Sequence, residues 1–331
     1  MSHPRVAVSV MPLENRHEAF VTLATQADRL GYDGLFLPET WAYDTTVLLA
    51  EAAARTERLT LGTGILGVWN RSAATIAMAA ATLATVSRGR FVLGLGASTP
   101  QLTEGLHDVR FAAPIARVRR TVQQVRALLR GERIPLAVTT EARALKLNLP
   151  PAGEVPIYLA ALGAQSVRLT GEVADGWMPF IYPRSYLRYG IEELRAGAAA
   201  AGHPERVPSV CPSLPAVVSE DPAGAREGAA WFVSFYLTTM GTLYRQSLTR
   251  QGFGKEVEAV LAANAPRFAG VVPPDADALL EELVVFGTPA EARRRLARWH
   301  DAGAEVPVLL LRPGLSPDEM TFTLRALAPA P

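Results

Sequence analysis

Three short stretches bring small residues together with groups that can hold a ligand: P-E-T-W (Pro38 to Trp41), G-L-G-A-S-T-P-Q (Gly94 to Gln101) and L-A-A-L-G-A (Leu159 to Ala164). Gly96, Ala97 and Ser98 remove side-chain bulk, so a ligand can lie directly on backbone N–H groups. Ala160, Ala161 and Gly163, with Leu162 between them, do the same immediately before a helical segment. Exposed amides at a helix N-terminus favour a phosphate. Small residues at such places also make tight turns, and either stretch alone reads that way. Two of them on neighbouring strands, with Trp41, Trp69 and Trp177 close in sequence to other strand ends, point to a planar cofactor that carries a phosphate.

Ionisable groups are few at these positions. Glu39 is the carboxylate that follows the second strand; it suits proton transfer or cofactor contact, and equally an N-cap or a salt bridge to a rim arginine. His107, in E-G-L-H-D-V-R-F, is the histidine placed near chemistry, as a proton carrier or a loop brace. His3, His17, His203 and His300 fall on the N-terminus, helices or a helix boundary and read as surface residues. The histidines are too scattered for the clustered ligands of a metal-dependent hydrolase. Neither Lys146 nor Lys255 sits on a strand end, which argues against Schiff-base chemistry. Gly94-x-Gly96 lacks the third glycine of a dinucleotide fingerprint, since position 99 is threonine, and no acidic ribose partner follows. Cys211, the single cysteine, excludes an internal disulfide and reads as a buried, inert thiol on a strand.

Positioning these groups requires an alternation of strands and helices, and the chain shows one. Apolar runs at Val6–Val10, Gly34–Pro38, Leu59–Leu66, Phe91–Gly96, Pro156–Ala160, Gly176–Met178, Ser209–Val218 and Val306–Leu311 predict eight strands. Helical periodicity covers His17–Leu30, Thr45–Arg55, Ala73–Ser87, Pro114–Leu129 and residues 164–172, 184–201, 222–240 and 288–302. In the first helix Phe20, Leu23, Ala24, Ala27 and Leu30 share a face, and Gly31 suits a positive φ beyond its end. Fully apolar strands, each followed by an amphipathic helix, mean a parallel sheet buried on both faces. Eight units predict an α/β fold of the (β/α)₈ TIM-barrel type over residues 1–331 as a single domain, with a doubly wound open sheet as the competing arrangement. Two insertions interrupt the rhythm: an alternating stretch at 134–149, read as a hairpin, and a helical one at 241–285; both are expected to shape the pocket. In such a barrel the chemistry sits at the carboxyl ends of the strands.

The chain has 331 residues, 49% of them hydrophobic and 20% charged, which excludes a disordered protein. With 33 basic against 32 acidic residues, no field favours nucleic acid or an anionic membrane as partner. The N-terminus lacks the apolar core of a signal peptide and no run is long enough to span a bilayer, so a cytoplasmic protein is expected.

The set G-Y-D-G-L-F-L-P-E-T, L-T-L-G-T-G-I-L, R-F-V-L-G-L-G-A-S-T-P-Q and G-E-V-A-D-G-W-M-P resembles the bacterial luciferase-like monooxygenase superfamily from about residue 5 to 315. With the E-G-L-H-D-V-R-F loop and M-G-T-L-Y…G-F-G, it is most similar to the branch using the deazaflavin coenzyme F420. The resemblance implies a luciferase-like barrel with the cofactor ring at the strand ends, buttressed by a non-proline cis peptide at Gly64–Ile65. The phosphate would rest on the backbone of Gly96–Ser98 and Ala161–Gly163, with Glu39, Thr40 and Trp177 beside the cofactor and Trp41 and Trp69 walling the substrate pocket. It implies a homodimer through helices near the third strand, to which the small-residue face of Ala73–Ala84 would lend itself; that face could equally turn to the barrel. Members that oxidise sugar phosphates carry Asp-His where this chain has Glu39-Thr40. The expectation is therefore an F420-dependent oxidoreductase moving a hydride to or from another small organic substrate, such as an activated double bond or imine. An FMN-dependent monooxygenase is the alternative, and a barrel that binds a flavin without turnover a further one.

Overall fold

The computed structural model describes residues 4–139, 141–151 and 153–329. His3, expected at the surface, lies outside them. Eleven parallel strands follow in chain order: β1 (Ala7–Val10), β2 (Gly34–Leu37), β3 (Thr60–Thr63), β4 (Leu66–Gly67), β5 (Phe91–Gly96), β6 (Ile157–Ala160), β7 (Gly176–Trp177), β8 (Ser209–Val210), β9 (Ser213–Val218), β10 (Val285–Gly287) and β11 (Val308–Leu311). The helices are α1 (His17–Arg29), α2 (Thr45–Arg55), α3 (Ala73–Val86), α4 (Pro100–Gly105), α5 (Pro114–Leu129), α6 (Ala164–Val173), α7 (Leu187–Ala200), α8 (Pro222–Thr238), α9 (Leu243–Leu248), α10 (Gly254–Ala263), α11 (Asp277–Leu283), α12 (Pro289–Asp301) and α13 (Pro317–Leu327).

Hydrogen bonding runs β9–β11–β1–β2–β3–β5–β6–β7–β8, with β4 pairing β5. The ring closes because β8 and β9 are one stretch of chain interrupted at Cys211-Pro212. Cys211 N–H donates to the Trp177 carbonyl (2.8 Å) and Ser213 N–H to that of Pro179 (2.9 Å), while the Pro212 carbonyl accepts from Val308 N–H (2.8 Å). The result is a (β/α)₈ barrel. The expected third strand is split into β3 and β4 at Gly64–Ile65, and the expected seventh into β8 and β9. The short β10 is an addition, pairing with the last three residues of β9.

Alternation decides which side chains fill the barrel. Ala7, Phe36, Val92, Met178, Cys211, Val306 and Val308 form one packed inner cluster, while Val8, Leu35, Leu61, Leu93, Leu159 and Leu309 face the helices. Truncating one of the outward leucines, such as Leu93→Ala, should cost about 2–5 kcal/mol. Local signals set the helix ends: Gly31 takes φ +80°, Ser72 caps α3 through Thr75 N–H, and Thr288 with Glu291, like Ser316 with Glu319, forms a capping box.

The two insertions behave differently. Residues 134–149 hold no strand among those described; one backbone bond, Ile134 N–H to the Leu145 carbonyl (2.8 Å), ties the segment. Moreover, Arg126 in the last turn of α5 pairs with Asp175 (2.7 Å), which precedes β7 and bonds the first residue of β6. The chain therefore enters and leaves this segment at the amino ends of the strands, opposite the mouth; the alternation of apolar residues that read as a hairpin forms no strand among the described residues. The 241–285 stretch is helical as expected. With α8 it packs on Met11, Phe180 and Leu310, which continue the inward-facing rows of β1, β7 and β11 beyond the first cluster. It caps part of the mouth.

Candidate active site at the barrel mouth

β2, β3, β4 and β5 meet at their carboxyl ends around a backbone seam. The Gly64–Ile65 peptide is cis. Gly64 N–H donates to the Leu37 carbonyl (2.6 Å), and the Ile65 carbonyl accepts from Glu39 N–H (3.1 Å). On the neighbouring strand Thr63 Oγ1 both donates to the Gly94 carbonyl (2.7 Å) and accepts from Gly94 N–H (2.8 Å). No side chain fits at Gly94, because a Cβ would collide with the Thr63 carbonyl oxygen; at Gly96 it would lie 2.9 Å from Ile65 Cδ1 and 3.3 Å from Ala160 Cβ. The glycines thus let three strands approach and leave a shallow backbone floor, which Ser98 continues at φ +60°.

The second floor is the β6–α6 turn. Ala160, Gly163 and Ala164 are exposed, and Gly163 opens the ten-residue α6 with no side chain capping its first N–H groups. Ala161 is buried and Leu162 half-buried. The Trp177 indole N–H donates to the Ala161 carbonyl (2.9 Å). Trp177 itself has no exposed surface and lies against Gly190 of α7, where a Cβ would collide with its ring. This corrects the expectation that Trp177 faces a cofactor: it lies behind the turn and holds it in place.

The rim is tied by charge. Arg71 donates from Nε to Glu39 Oε1 (3.0 Å) and from Nη2 to Oε2 (2.6 Å), and reaches Asp44 at 2.8 Å. The bond from Glu39, with that from Asp44 behind it, raises the guanidinium pKa above its ordinary value. Burial works against the charge on Asp44, but hydrogen bonds from Thr46 and Arg71 outweigh it and hold the carboxyl below its usual range. Glu39, with both oxygens engaged, is an anchor between the loops after β2 and β4, as the salt-bridge reading had it, and this geometry disfavours the role of proton carrier. Trp69 is half-buried, tilted against Phe111 (ring centroids 5.5 Å apart) with Arg117 over its ring (5.2 Å), whereas Trp41 is 44% exposed.

Several polar atoms at this end are shielded from solvent yet bond to no protein group: Thr40 Oγ1, Trp69 Nε1, both amide atoms of Asn70, Thr103 Oγ1 and His107 Nε2. They sit after β2, β4 and β5. Beyond β7 the rings of Tyr236 and Tyr244 close edge-on upon Phe180 at 4.7 and 5.7 Å. Burial pushes both phenols well above their ordinary pKa, so they stay neutral donors. Asn70, Arg71, Phe180 and the two tyrosines were not expected from the sequence. The hints were the position of Asn70 in the T-G-I-L-G-V-W-N loop, the rim arginine expected as a partner for Glu39, and Tyr244 at the end of M-G-T-L-Y. Among the described residues no group of three or more His, Cys, Asp or Glu side chains is placed to hold a metal ion, and no helix is long and apolar enough to cross a membrane.

The fold recurs in known proteins. A coenzyme F420-dependent oxidoreductase assignment belongs to a Mycobacterium tuberculosis protein 31% identical to this chain over 312 residues, covering 87% of this chain and 89% of that one. The F420-dependent tetrahydromethanopterin reductase of Methanopyrus kandleri superposes with a TM-score of 0.78 at 17% identity, covering 99% of this chain and 98% of that one. An F420-dependent secondary alcohol dehydrogenase in complex with an F420–acetone adduct gives 0.77 at 18% identity, covering 98% and 99%. The model of the luciferase-like monooxygenase family matches residues 2–305. A glycine floor beside a cis peptide, on a closed eight-stranded barrel, and a family match over nine-tenths of the chain lead to one conclusion: this protein belongs to the luciferase-like monooxygenase family.

Proposed function

We propose that the protein is a cytoplasmic oxidoreductase that binds coenzyme F420 at the mouth and moves a hydride between the deazaflavin and a small organic substrate. The observation that carries this reading is the set of shielded, unpartnered polar atoms on Thr40, Trp69, Asn70 and His107 beside the glycine floor at Gly94 and Gly96. Leaving such groups unsatisfied costs about 1–3 kcal/mol each, so they suit a flat, polar-edged ligand. The F420 assignments among its relatives support the deazaflavin over other flavins.

The residues present fit that group. Gly64, Ile65, Gly96, Ala97 and Ser98 would lie under it, and the open amides of Gly163 and Ala164 at the start of α6 suit its phosphate. Bound there, F420 supplies a ring carbon that accepts or donates a hydride. The chain supplies position and exclusion of water: Glu39 and Arg71 fix the rim, Trp177 holds the Ala161 carbonyl, Trp41 and Trp69 flank the opening, and the α8–α11 cap closes one side. His107 Nε2 is the group available to hold or pass a proton at the substrate. The protein acts as a homodimer, with the exposed Val47 of α2 and Met78 and Val86 of α3 covered by the second copy.

Fluorescence titration of the purified protein with F420 and, separately, with FMN tests the reading. Micromolar or tighter binding of F420 alone is expected. Preference for FMN would move the protein to oxygen-using chemistry, and binding of neither would sink the cofactor assignment.

A further inference from the structure

Asn70 follows Trp69 in the loop after β4, and its carboxamide has an unusual setting. Built on Gly67, a Cβ would lie 2.8 Å from Asn70 Nδ2, 3.0 Å from Cγ and 3.0 Å from Oδ1. Three near-equal distances mean that the amide lies face-on over the α-carbon of Gly67, which the glycine permits. Gly67 pairs in register with Gly96, so the amide sits beside the glycine floor. The next residue, Arg71, is clamped by Glu39 and Asp44, which fixes the backbone that carries the amide.

With its face covered, the carboxamide can act only through its edge. That edge carries one donor and one acceptor side by side, and neither Nδ2 nor Oδ1 bonds to a protein group although both are shielded from water. An apolar residue would avoid that penalty, which is largest where donor and acceptor are both left unmade. The complement of such an edge is an N–H adjacent to a carbonyl, the edge of a cyclic amide. Trp69 Nε1, on the preceding residue, is a further donor with no partner.

Building on the cofactor reading above, we infer that Asn70 recognises the lactam edge of the deazaflavin's pyrimidinedione ring. Oδ1 accepts from the ring N3–H and Nδ2 donates to a flanking carbonyl. Rotation of the amide by half a turn serves either of the two carbonyls. Asn70 is thus a positioning residue: it sets the ring's rotation on the floor, and with it where the reactive carbon lies.

The test uses 5-deazariboflavin and its N3-methyl derivative, which keeps the ring but has no N3–H, titrated by fluorescence into wild type, Asn70→Leu and Asn70→Asp. Wild type is expected to bind the parent about tenfold or more tightly than the methylated compound. Asn70→Leu should lose about tenfold for the parent and bind both alike. Asn70→Asp, of the same shape and keeping the acceptor, should retain a preference for the parent; it guards against a folding defect in the leucine variant. Equal binding of both compounds by wild type, or undiminished discrimination in Asn70→Leu, overturns the assignment. Failure of wild type to bind F420 itself is a different signature and removes the cofactor reading together with this one, whereas equal F420 affinity in wild type and Asn70→Leu overturns this assignment alone.

Discussion

Arg71 grips Glu39 through both carboxylate oxygens, at 3.0 and 2.6 Å, across 32 residues of sequence. The two side chains are 17% and 10% exposed, so the pair is largely withdrawn from water and joins the loop after β2 to the loop after β4. Removing one partner strands the other's charge. Arg71→Met should destabilise the fold by about 2–3 kcal/mol, below the cost for a fully buried pair because some solvent reaches it. The double variant Glu39→Gln/Arg71→Met should recover part of that loss. Urea unfolding of wild type and the two variants measures both; a double variant no more stable than Arg71→Met would show that the pair is not the unit that matters.

Two glycines two residues apart on β5 should fail in different ways. A methyl group at Gly94 meets the Thr63 backbone oxygen, which cannot move without breaking the β3–β5 pairing, so Gly94→Ala should yield little soluble protein. At Gly96 the obstacle is the end of the Ile65 side chain at 2.9 Å, which can rotate. Gly96→Ala should fold, at a cost of about 1–3 kcal/mol, and bind F420 at least about tenfold more weakly. Circular dichroism and the fluorescence titration separate the two outcomes, and a Gly96→Ala protein with unchanged affinity would place the cofactor elsewhere.

Burial pushes the Cys211 thiol up to about 12, and the side chain has no exposed surface. The reactive species is the thiolate. Native protein should therefore resist iodoacetamide at pH 8 for hours, and the same protein in denaturant should alkylate at that one position within minutes. Mass spectrometry reads the difference; quick labelling of the native chain would mean that the inner cluster of the barrel opens.

Glu14 carries a pH dependence whose sign follows from its setting. Burial raises its pKa, but bonds from the Arg16 side chain, then from Gly314 and Arg16 N–H, outweigh burial and leave it below the ordinary 4.5. A carboxyl depressed in the folded state stabilises it above the unfolded value and loses that contribution as pH falls through the folded one. Glu14→Gln should therefore cost about 1–3 kcal/mol at pH 7, and the gap to wild type should narrow only below about pH 4.5. Chemical unfolding of both proteins from pH 3 to 7 shows this, and a gap that widens on acidification would reverse the assignment.

The alternation of apolar runs and amphipathic segments was enough to place the barrel strands, because parallel strands are buried on both faces and each helix buries one. The small residues at Gly94–Ser98 and Ala160–Gly163 announced floors for a ligand because lack of a side chain is a local property, visible without neighbours. What sequence could not supply was direction and partnership. In strands apolar on both faces, period two does not say which row points inward, so Trp177 read as a cofactor contact when it packs outward against Gly190. The alternation at 134–149 looked like a hairpin, yet no strand forms there among the described residues, and the end of α5 that leads into it is tied to the amino ends of the strands. Likewise nothing local links Glu39 to Arg71 or Phe180 to Tyr236. Those contacts join residues that the closed ring of strands brings together, and they exist only once the whole sheet has formed.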